Sequence, residues 1–526
     1  MKKWILAVLS IGLVISNVSC TKKKKATTEV EKDAIVVRLE AEPPALDPSK
    51  QVDHVSMVPM QNLNEGLMSL DKEMNPIPGL AERYEVNKDA TEYTFYLRKG
   101  VKWSDGPELT AQDFEYAWKR MLDPKTAAEY SYFLYDLVNA EEYNTGKIKD
   151  ASKVGVKAID KYTLKVNLRS SASYWLNIPA FVVTYPVRKD IIEKHGDQWT
   201  EAGNFPSVGP YKLTAWEHDS KIVMERNENY YGEKPAIRKV TLLIITEDAT
   251  AVSLYESGKL DFFRKIPGQD TERFRKQGKV HDVPYLRGYY YAFNVEKKPF
   301  DDVKVRKAFA LAVNRAVFPK ILKGGEMPTS SWIPKGMFSY NADIGLKFDA
   351  EKAKASLADA GYPKGMGFPR IDMAYDSRDY NKPVAEALQA MWKSTLGVQI
   401  DVVSMEWKVY LSKMRQDANQ IYRLGWGADF PDPHNFMDLF LSNSGNNYTR
   451  WKNNQYDSLV RKASEELNRS KRKELYDKAQ RALLEKDAVI IPLFNESLNY
   501  MVSDRVENHF LNSMGDVFFK NFSLKK

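Results

Sequence analysis

The sequence predicts a mixed α/β fold organised as more than one domain. Three observations lead there. Some short stretches carry apolar residues at every second position, longer ones carry them at helical spacing, and the 526-residue length exceeds what one hydrophobic core organises. Alternation marks strands at residues 93–97 (Tyr-Thr-Phe-Tyr-Leu) and 163–168 (Thr-Leu-Lys-Val-Asn-Leu). Helical spacing then marks residues 305–322 and returns at 383–396. In the second of these Pro383 suits a first turn, Val384, Leu388, Met391, Trp392 and Thr395 share one face, and Gly397 lies just past the end. An alternating strand at 398–402 follows directly, so helix, glycine stop and strand succeed one another as in an α/β unit. A last helical pattern covers 472–484, and the chain has no internal repeat.

The amino-terminal residues fix the compartment. Lys2 and Lys3 precede an apolar run from Trp4 to Ile15, too short for the roughly 20 residues of a membrane-spanning helix, so residues 1–19 read as an export signal. Cys20, the only cysteine, sits where a bacterial lipoprotein signal places its acylated residue, although Asn17 stands where an aliphatic side chain is usual. Lipidation at Cys20 is therefore expected, with residues 20–32 as a flexible basic tether beside an anionic membrane. Of the net charge of +8, the signal carries +2 and the tether +3, which leaves 71 basic against 68 acidic residues from 33 onward. That balance, with no basic cluster interleaved with aromatics, excludes a nucleic-acid binder. One cysteine permits no intramolecular disulfide. Six dispersed histidines offer no metal-ligand spacing, and the nucleophile-elbow, zinc-protease and phosphate-loop motifs are all missing, so neither an enzyme nor a cofactor is expected.

The segment from Arg423 to Pro433, Arg-Leu-Gly-Trp-Gly-Ala-Asp-Phe-Pro-Asp-Pro, places two opposite charges in an apolar stretch. Gly425 and Gly427 let another backbone approach, Trp426 offers a flat wall, and Pro431 and Pro433 end regular structure after Asp429. A ligand carrying both signs, such as a zwitterionic peptide, fits that description. Aromatic residues make up 12% of the chain and cluster at 130–135, 285–291, Trp407 and Trp426. Such walls suit a ligand whose side chains vary.

Ordered motifs along the chain complete the reading. They run through Leu46-Asp-Pro48, Asn64-Glu-Gly-Leu67, Leu97-Arg-Lys-Gly-Val-Lys-Trp-Ser-Asp-Gly106, Thr110-Ala-Gln-Asp-Phe-Glu-Tyr-Ala-Trp118, Asp123-Pro-Lys-Thr-Ala127, Gly209-Pro-Tyr211, Glu225-Arg-Asn227, Glu406-Trp407 and Gly425-Trp-Gly-Ala-Asp429. In order and spacing the chain resembles the family 5 extracellular solute-binding proteins of bacterial peptide ABC transporters, the oligopeptide-binding members in particular. The resemblance implies a two-lobed α/β periplasmic-binding-protein fold (class II, cluster C type) with an extra domain in the amino-terminal lobe. Lobe one would comprise 33–65, 187–286 and 498–526, the additional domain 66–186, and lobe two 287–497. The resemblance further implies an exported, lipid-anchored monomer that takes short peptides to the permease and ATPase subunits of an ABC importer. The alternative is a sensor or recycling receptor on the same scaffold, taking murein peptides, signal peptides, a nickel chelate or haem. Carried over residue by residue, Asp429 would hold the peptide amino terminus, and Arg423, Arg415 or Asn381 its carboxyl terminus, depending on length. Gly425, Trp426 and Gly427 would meet the peptide backbone, and Tyr130, Tyr285, Tyr290 and Trp407 would line side-chain pockets. A family glutamate near the peptide is replaced by Val52, with Asp53 adjacent.

Overall fold

The computed structural model describes residues 32–51, 53–377 and 380–525, with the backbone alone at Gln269, Trp407 and Lys408. The export signal, Cys20, the tether except Lys32, and Val52 lie outside the described residues. Among the described residues no helix is long and apolar enough to cross a membrane.

Two long antiparallel strands, Val280–Phe293 and Ile490–Val502, carry the rest of the molecule. They pair from Val280 opposite Met501 to Ala292 opposite Ile490. Tyr289, Tyr290, Tyr291, Ala292 and Phe293 are consecutive and all buried, as expected of a central strand covered on both faces. To one side the sheet continues through Phe262–Arg264, Ala34–Leu39, Lys239–Ile244, Lys221–Arg226 and Tyr211–Glu217. To the other it continues through Ile421–Gly427, Ile371–Asp376 and Ile400–Met405. The register of the long pair shifts between Pro284 and Gly288, and an irregularity of that kind bends a strand.

The buried apolar side chains part at the same place. One large cluster draws on chain from Ile35 to Phe262 and from Leu498 to Phe522, with a smaller one from Ile245 to Phe274 beside it. Two others draw on chain from Leu286 to Phe494. Phe430 is the exception, because it belongs to the first-half cluster although its neighbours in sequence belong to the second. Transfer of such surfaces from water is the main favourable contribution to folding, so the two groups are two separate cores joined by the long strands.

A second sheet, antiparallel, places Glu92–Leu97 and Thr163–Asn167 between Ala81–Val86 and Val156–Asp160. Tyr93, Phe95 and Leu97 point inward, and the rings of Tyr93 and Phe95 lie 4.7 and 5.9 Å from Trp175. The helix Ala111–Leu122 starts with a reciprocal capping box between Thr110 and Asp113 and buries Phe114, Trp118 and Met121. Trp118 donates its indole N–H to the carbonyl of Thr184 at 2.8 Å, which satisfies its one polar group.

The strands expected at 93–97, 163–168 and 398–402 fall on observed strands, and the 383–396 pattern on the helix Asn381–Leu396. Gly397 stops that helix at φ +74°, and a Cβ there would stand 2.4 Å from the carbonyl oxygen of Lys364, so only glycine fits. The single helix expected over 305–322 is broken into Val303–Leu311 and Phe318–Leu322. Between them the Asn314 side chain accepts from the backbone N–H of Ala316 at 3.2 Å, and Arg315 turns inward to the carbonyls of Pro492 at 2.6 Å and Leu346 at 3.0 Å. An asparagine that bonds its own backbone competes with helix continuation, which apolar spacing does not register.

Candidate functional site

A cavity of about 180 Å³ lies where the Ala428–Pro431 loop of the second half meets the first half. Its first-half walls come from the start of the helix His54–Leu63 (Asp53, His54, Met57, Gln61), from Tyr130, from residues 177–185, and from the carboxyl-terminal Met514, Asp516 and Phe518. Tyr285, at the first-half end of the long strand, closes one side. Of the residues predicted from sequence, Asp429, Tyr130 and Tyr285 meet here.

The posture of Asp429 follows from its neighbours in sequence. The Ile421–Gly427 strand ends at the glycine, and Pro431 and Pro433 keep the following chain irregular until the short helix His434–Met437. Asn435, one turn on, ties the loop together. Its side-chain oxygen accepts from the backbone N–H of Asp429 at 2.9 Å and from the Trp426 indole at 3.1 Å, while its amide donates to Asp429 Oδ2 at 3.2 Å. Asp432 holds the loop from below through a bidentate ion pair with Arg472 at 2.6 and 2.8 Å, both side chains buried. Phe430 inserts against Tyr174 and Phe133 of the first half at ring distances of 5.4 and 6.3 Å, and His434 stacks on Tyr174 at 4.7 Å.

Asp429 therefore presents a carboxylate whose side-chain partner is one neutral amide, with no ion pair among the described residues. Burial pushes its carboxyl above the usual range, and the Asn435 amide only partly offsets that. Burial raises Asp438 to about 7, with the charge of Asp429 adding to the effect. The phenols of Tyr130 and Tyr132 are raised by burial and then by Asp429. Burial thus disfavours the charged form of both carboxyls, and a cation beside them would restore it.

Among the described residues, the strand that leads to Asp429 offers a free edge. Ile421 and Tyr422 pair in parallel with Met373 and Ala374, but that neighbour goes no further along the strand. On the opposite edge the strand pairs with Arg287–Phe293, and Ala428 N–H donates to the Leu286 carbonyl at 2.8 Å. Antiparallel bonding alternates, so Trp426 and Leu424 bond the long strand while the backbone groups of Gly425 and Gly427 face the free edge. A Cβ on Gly425 would stand 3.1 Å from the Gly288 carbonyl oxygen, whereas one on Gly427 would meet only ordinary contacts.

The remaining predicted residues lie elsewhere. Arg423 is 1% exposed and does not line the cavity, with Nη1 on Asp376 Oδ1 at 2.9 Å, Nη2 on the Tyr380 hydroxyl at 2.6 Å, and its guanidinium 4.3 Å over the Tyr289 ring. Asn381 is also buried, accepting from the Tyr289 hydroxyl and donating to the Asp376 carbonyl, both at 2.9 Å. Tyr290 packs into the second-half core against Trp332 and Phe440. Arg415 is exposed on the helix Trp407–Asp417, and the Trp407 side chain lies outside the described residues. Sequence reasoning missed the first-half wall of His54, Gln61, Asn177 and Asp516, because these polar residues come from three distant stretches with no local motif. Asn435 was within reach, as a short polar residue placed to bond a backbone six positions earlier.

The profile of the bacterial extracellular solute-binding proteins, family 5 Middle, matches residues 75–448. The oligopeptide-binding protein OppA of Bacillus subtilis is 33% identical over 536 aligned residues, covering 99% of this chain and 97% of that protein. Among solved structures, MppA, a periplasmic murein tripeptide binding protein, superposes in its unliganded open form with a TM-score of 0.86 at 29% identity, covering 94% of this chain and 98% of that one. A second MppA structure, from Escherichia coli, reaches 0.74 at the same identity and coverage of this chain.

Proposed function

The chain belongs to the bacterial extracellular solute-binding proteins of family 5, and from that premise we propose that it is an extracytoplasmic receptor that encloses a short peptide between two lobes and delivers it to an ABC importer. The observation that carries the reading is Asp429, a carboxylate with no ion-pair partner among the described residues, at the rim of an aromatic-walled cavity. A peptide α-ammonium supplies the missing charge and makes charge-assisted hydrogen bonds there. From Asp429 the peptide backbone runs along the free edge of Gly425 and Gly427 as an added strand, which satisfies main-chain groups without reading sequence. Tyr130 and Tyr285 contribute to the side-chain walls.

Closure follows from the same contacts. A ligand stabilises the closed arrangement only by touching both halves, and Asp429 on one with the 53–61 and 514–518 segments on the other provide that. Lobe one is assigned to 33–65, 187–286 and 498–526, the additional domain to 66–186 and lobe two to 287–497, in keeping with the parting of the cores at Leu286. Lipidation at Cys20 completes the proposal, and the mass of the membrane-extracted protein tests it.

Calorimetry with tri- and tetrapeptides tests the central reading. Free peptides bind, and the same peptides acetylated at the amino terminus bind at least about 30-fold more weakly, since the charge is then removed from the ligand. Equal binding of both would dispose of the Asp429 assignment.

The carboxyl shifts give a pH dependence. Around Asp438 stand Asp429, Asp432 and the phenols of Tyr132, Tyr174, Tyr456 and Tyr476, and Arg472, the cation beside them among the described residues, is paired with Asp432. An arriving ammonium lowers both raised carboxyls, so binding releases protons and affinity rises with pH through about 7. It falls again as the α-ammonium, with an ordinary pKa of about 8, loses its own proton. Binding heats measured at pH 6.5 in buffers of different ionisation enthalpy reveal the release, and Asp438→Asn reduces it. An affinity flat from pH 6 to 8 contradicts the coupling.

A further inference from the structure

We propose that the cavity beside Asp429 is a charge-selective subsite for the side chain of the first peptide residue, and that it favours lysine or arginine there. The inference rests on the peptide reading and adds to it a substrate class.

Three carboxylates line the cavity: Asp429 from the second half, Asp53 and Asp516 from the first. Asp53 caps its helix, accepting from the backbone N–H and hydroxyl of Ser56 at 2.8 and 2.7 Å. Asp516, 7% exposed, accepts from Gln61 Nε2 at 2.6 Å and Asn512 Nδ2 at 2.9 Å. Every one of these donors is neutral, and neither lysine nor arginine is among the lining residues. Arg264 lies behind His54, donating to its Nε2 at 3.3 Å, and is itself paired with Glu40 at 3.1 Å. One α-ammonium thus leaves the cavity with anionic excess.

A second observation points the same way. Gln61 is 7% exposed, and its amide head reaches Asp516 at the cavity floor, where the donor is engaged and the carbonyl oxygen has no partner among the described residues. Asn177, equally buried, also lines the cavity; its amide donates to the carbonyl of Tyr174 at 3.0 Å, and its oxygen has no partner among the described residues. Buried acceptors without donors are costly, and an occupant rich in N–H groups relieves them. Among the described residues no group of His, Cys, Asp or Glu is arranged to hold a metal ion, so the fitting cation is an extended organic one. Met57, Phe181, Tyr185 and Phe518 supply walls for a methylene stem.

The position in the peptide follows from geometry. The α-ammonium and the first side chain share one Cα, so a peptide held at Asp429 places that side chain at the adjoining cavity. The second side chain of an extended strand points to the opposite face. All the floor residues lie on one half, and so the subsite survives closure intact.

The test uses the purified full chain and calorimetry with Lys-Ala-Ala, norleucine-Ala-Ala, Glu-Ala-Ala and Ala-Lys-Ala. Norleucine keeps the stem and removes the charge. Lysine in first place is expected to bind at least about tenfold more tightly than norleucine, glutamate most weakly, and lysine in second place to bring no such gain. In Asp516→Asn the lysine-to-norleucine ratio falls to within about threefold, whatever the absolute affinities. Because the peptide series is run on the unaltered protein, the result does not depend on that variant folding. Equal affinity for lysine and norleucine, or a preference at the second position, overturns the subsite and leaves the peptide reading standing. Failure of all four peptides to bind overturns both.

Discussion

Asp429→Ala abolishes or severely weakens peptide binding while the fold is retained. The loss is about 2–5 kcal/mol, or about 30-fold to several thousand-fold in affinity, because the ligand's ammonium is then buried with no anion beside it. The carboxylate makes no ion pair among the described residues and bonds only Asn435 through its side chain, so its removal costs the loop one neutral hydrogen bond. The Asp432–Arg472 pair and the Phe430 insertion keep the loop in place without it. Calorimetry on wild type and variant reads the effect, with thermal unfolding of the free proteins as control. Unchanged affinity sinks the assignment. So does a loss of stability comparable in size to the loss of binding, which would make Asp429 a structural residue. Asp429→Asn separates charge from shape, since it keeps the volume and a hydrogen-bond acceptor but loses the anion, and it should recover little of the affinity.

What was legible in the sequence depended on how local the physics was. The Asn381–Leu396 helix could be read because its apolar face, its early proline and its glycine stop lie within seventeen residues. Gly397 proves obligatory through a clash with Lys364, yet the positional rule had already marked it. The break at Asn314 was not legible, since what turns Arg315 inward is a pair of carbonyls at Pro492 and Leu346, far along the chain. The site divides in the same way. Asp429 stood out as an acid in an apolar run, and the run itself sets its geometry through Trp426 and Asn435. Its counterpart wall, with Gln61, Asn177 and Asp516, is assembled from chain more than a hundred residues apart. Tyr290 was placed near a side-chain pocket by the resemblance alone; successive strand residues face opposite ways, and this one faces Trp332 in the core.

Arg423→Met destabilises the second lobe by about 3–5 kcal/mol, the ordinary consequence of breaking a buried ion pair from one side. The guanidinium is 1% exposed and Asp376 fully buried, with 2.9 Å between Nη1 and Oδ1. It also donates to the Tyr380 hydroxyl and lies over the Tyr289 ring, so the substitution removes a hydrogen bond and a cation–π contact. Methionine fills most of the volume, and the loss is therefore electrostatic more than steric. The denaturant midpoint falls accordingly. The double variant Arg423→Met with Asp376→Leu recovers much of the loss, because replacing both members of a buried pair by apolar groups is often close to neutral. This distinguishes the structural role from a ligand anchor. An arginine that met the peptide carboxylate would, when replaced, erase the preference for free over amidated carboxyl termini and leave the unfolding midpoint nearly unchanged. The geometry favours the first outcome, since a charge already neutralised by Asp376 has little left to offer a second carboxylate, and reaching one would mean leaving a partner buried behind it. Of the two opposite charges in the Arg423–Pro433 segment, the arginine thus braces the strand from inside the lobe while the aspartate faces the cleft.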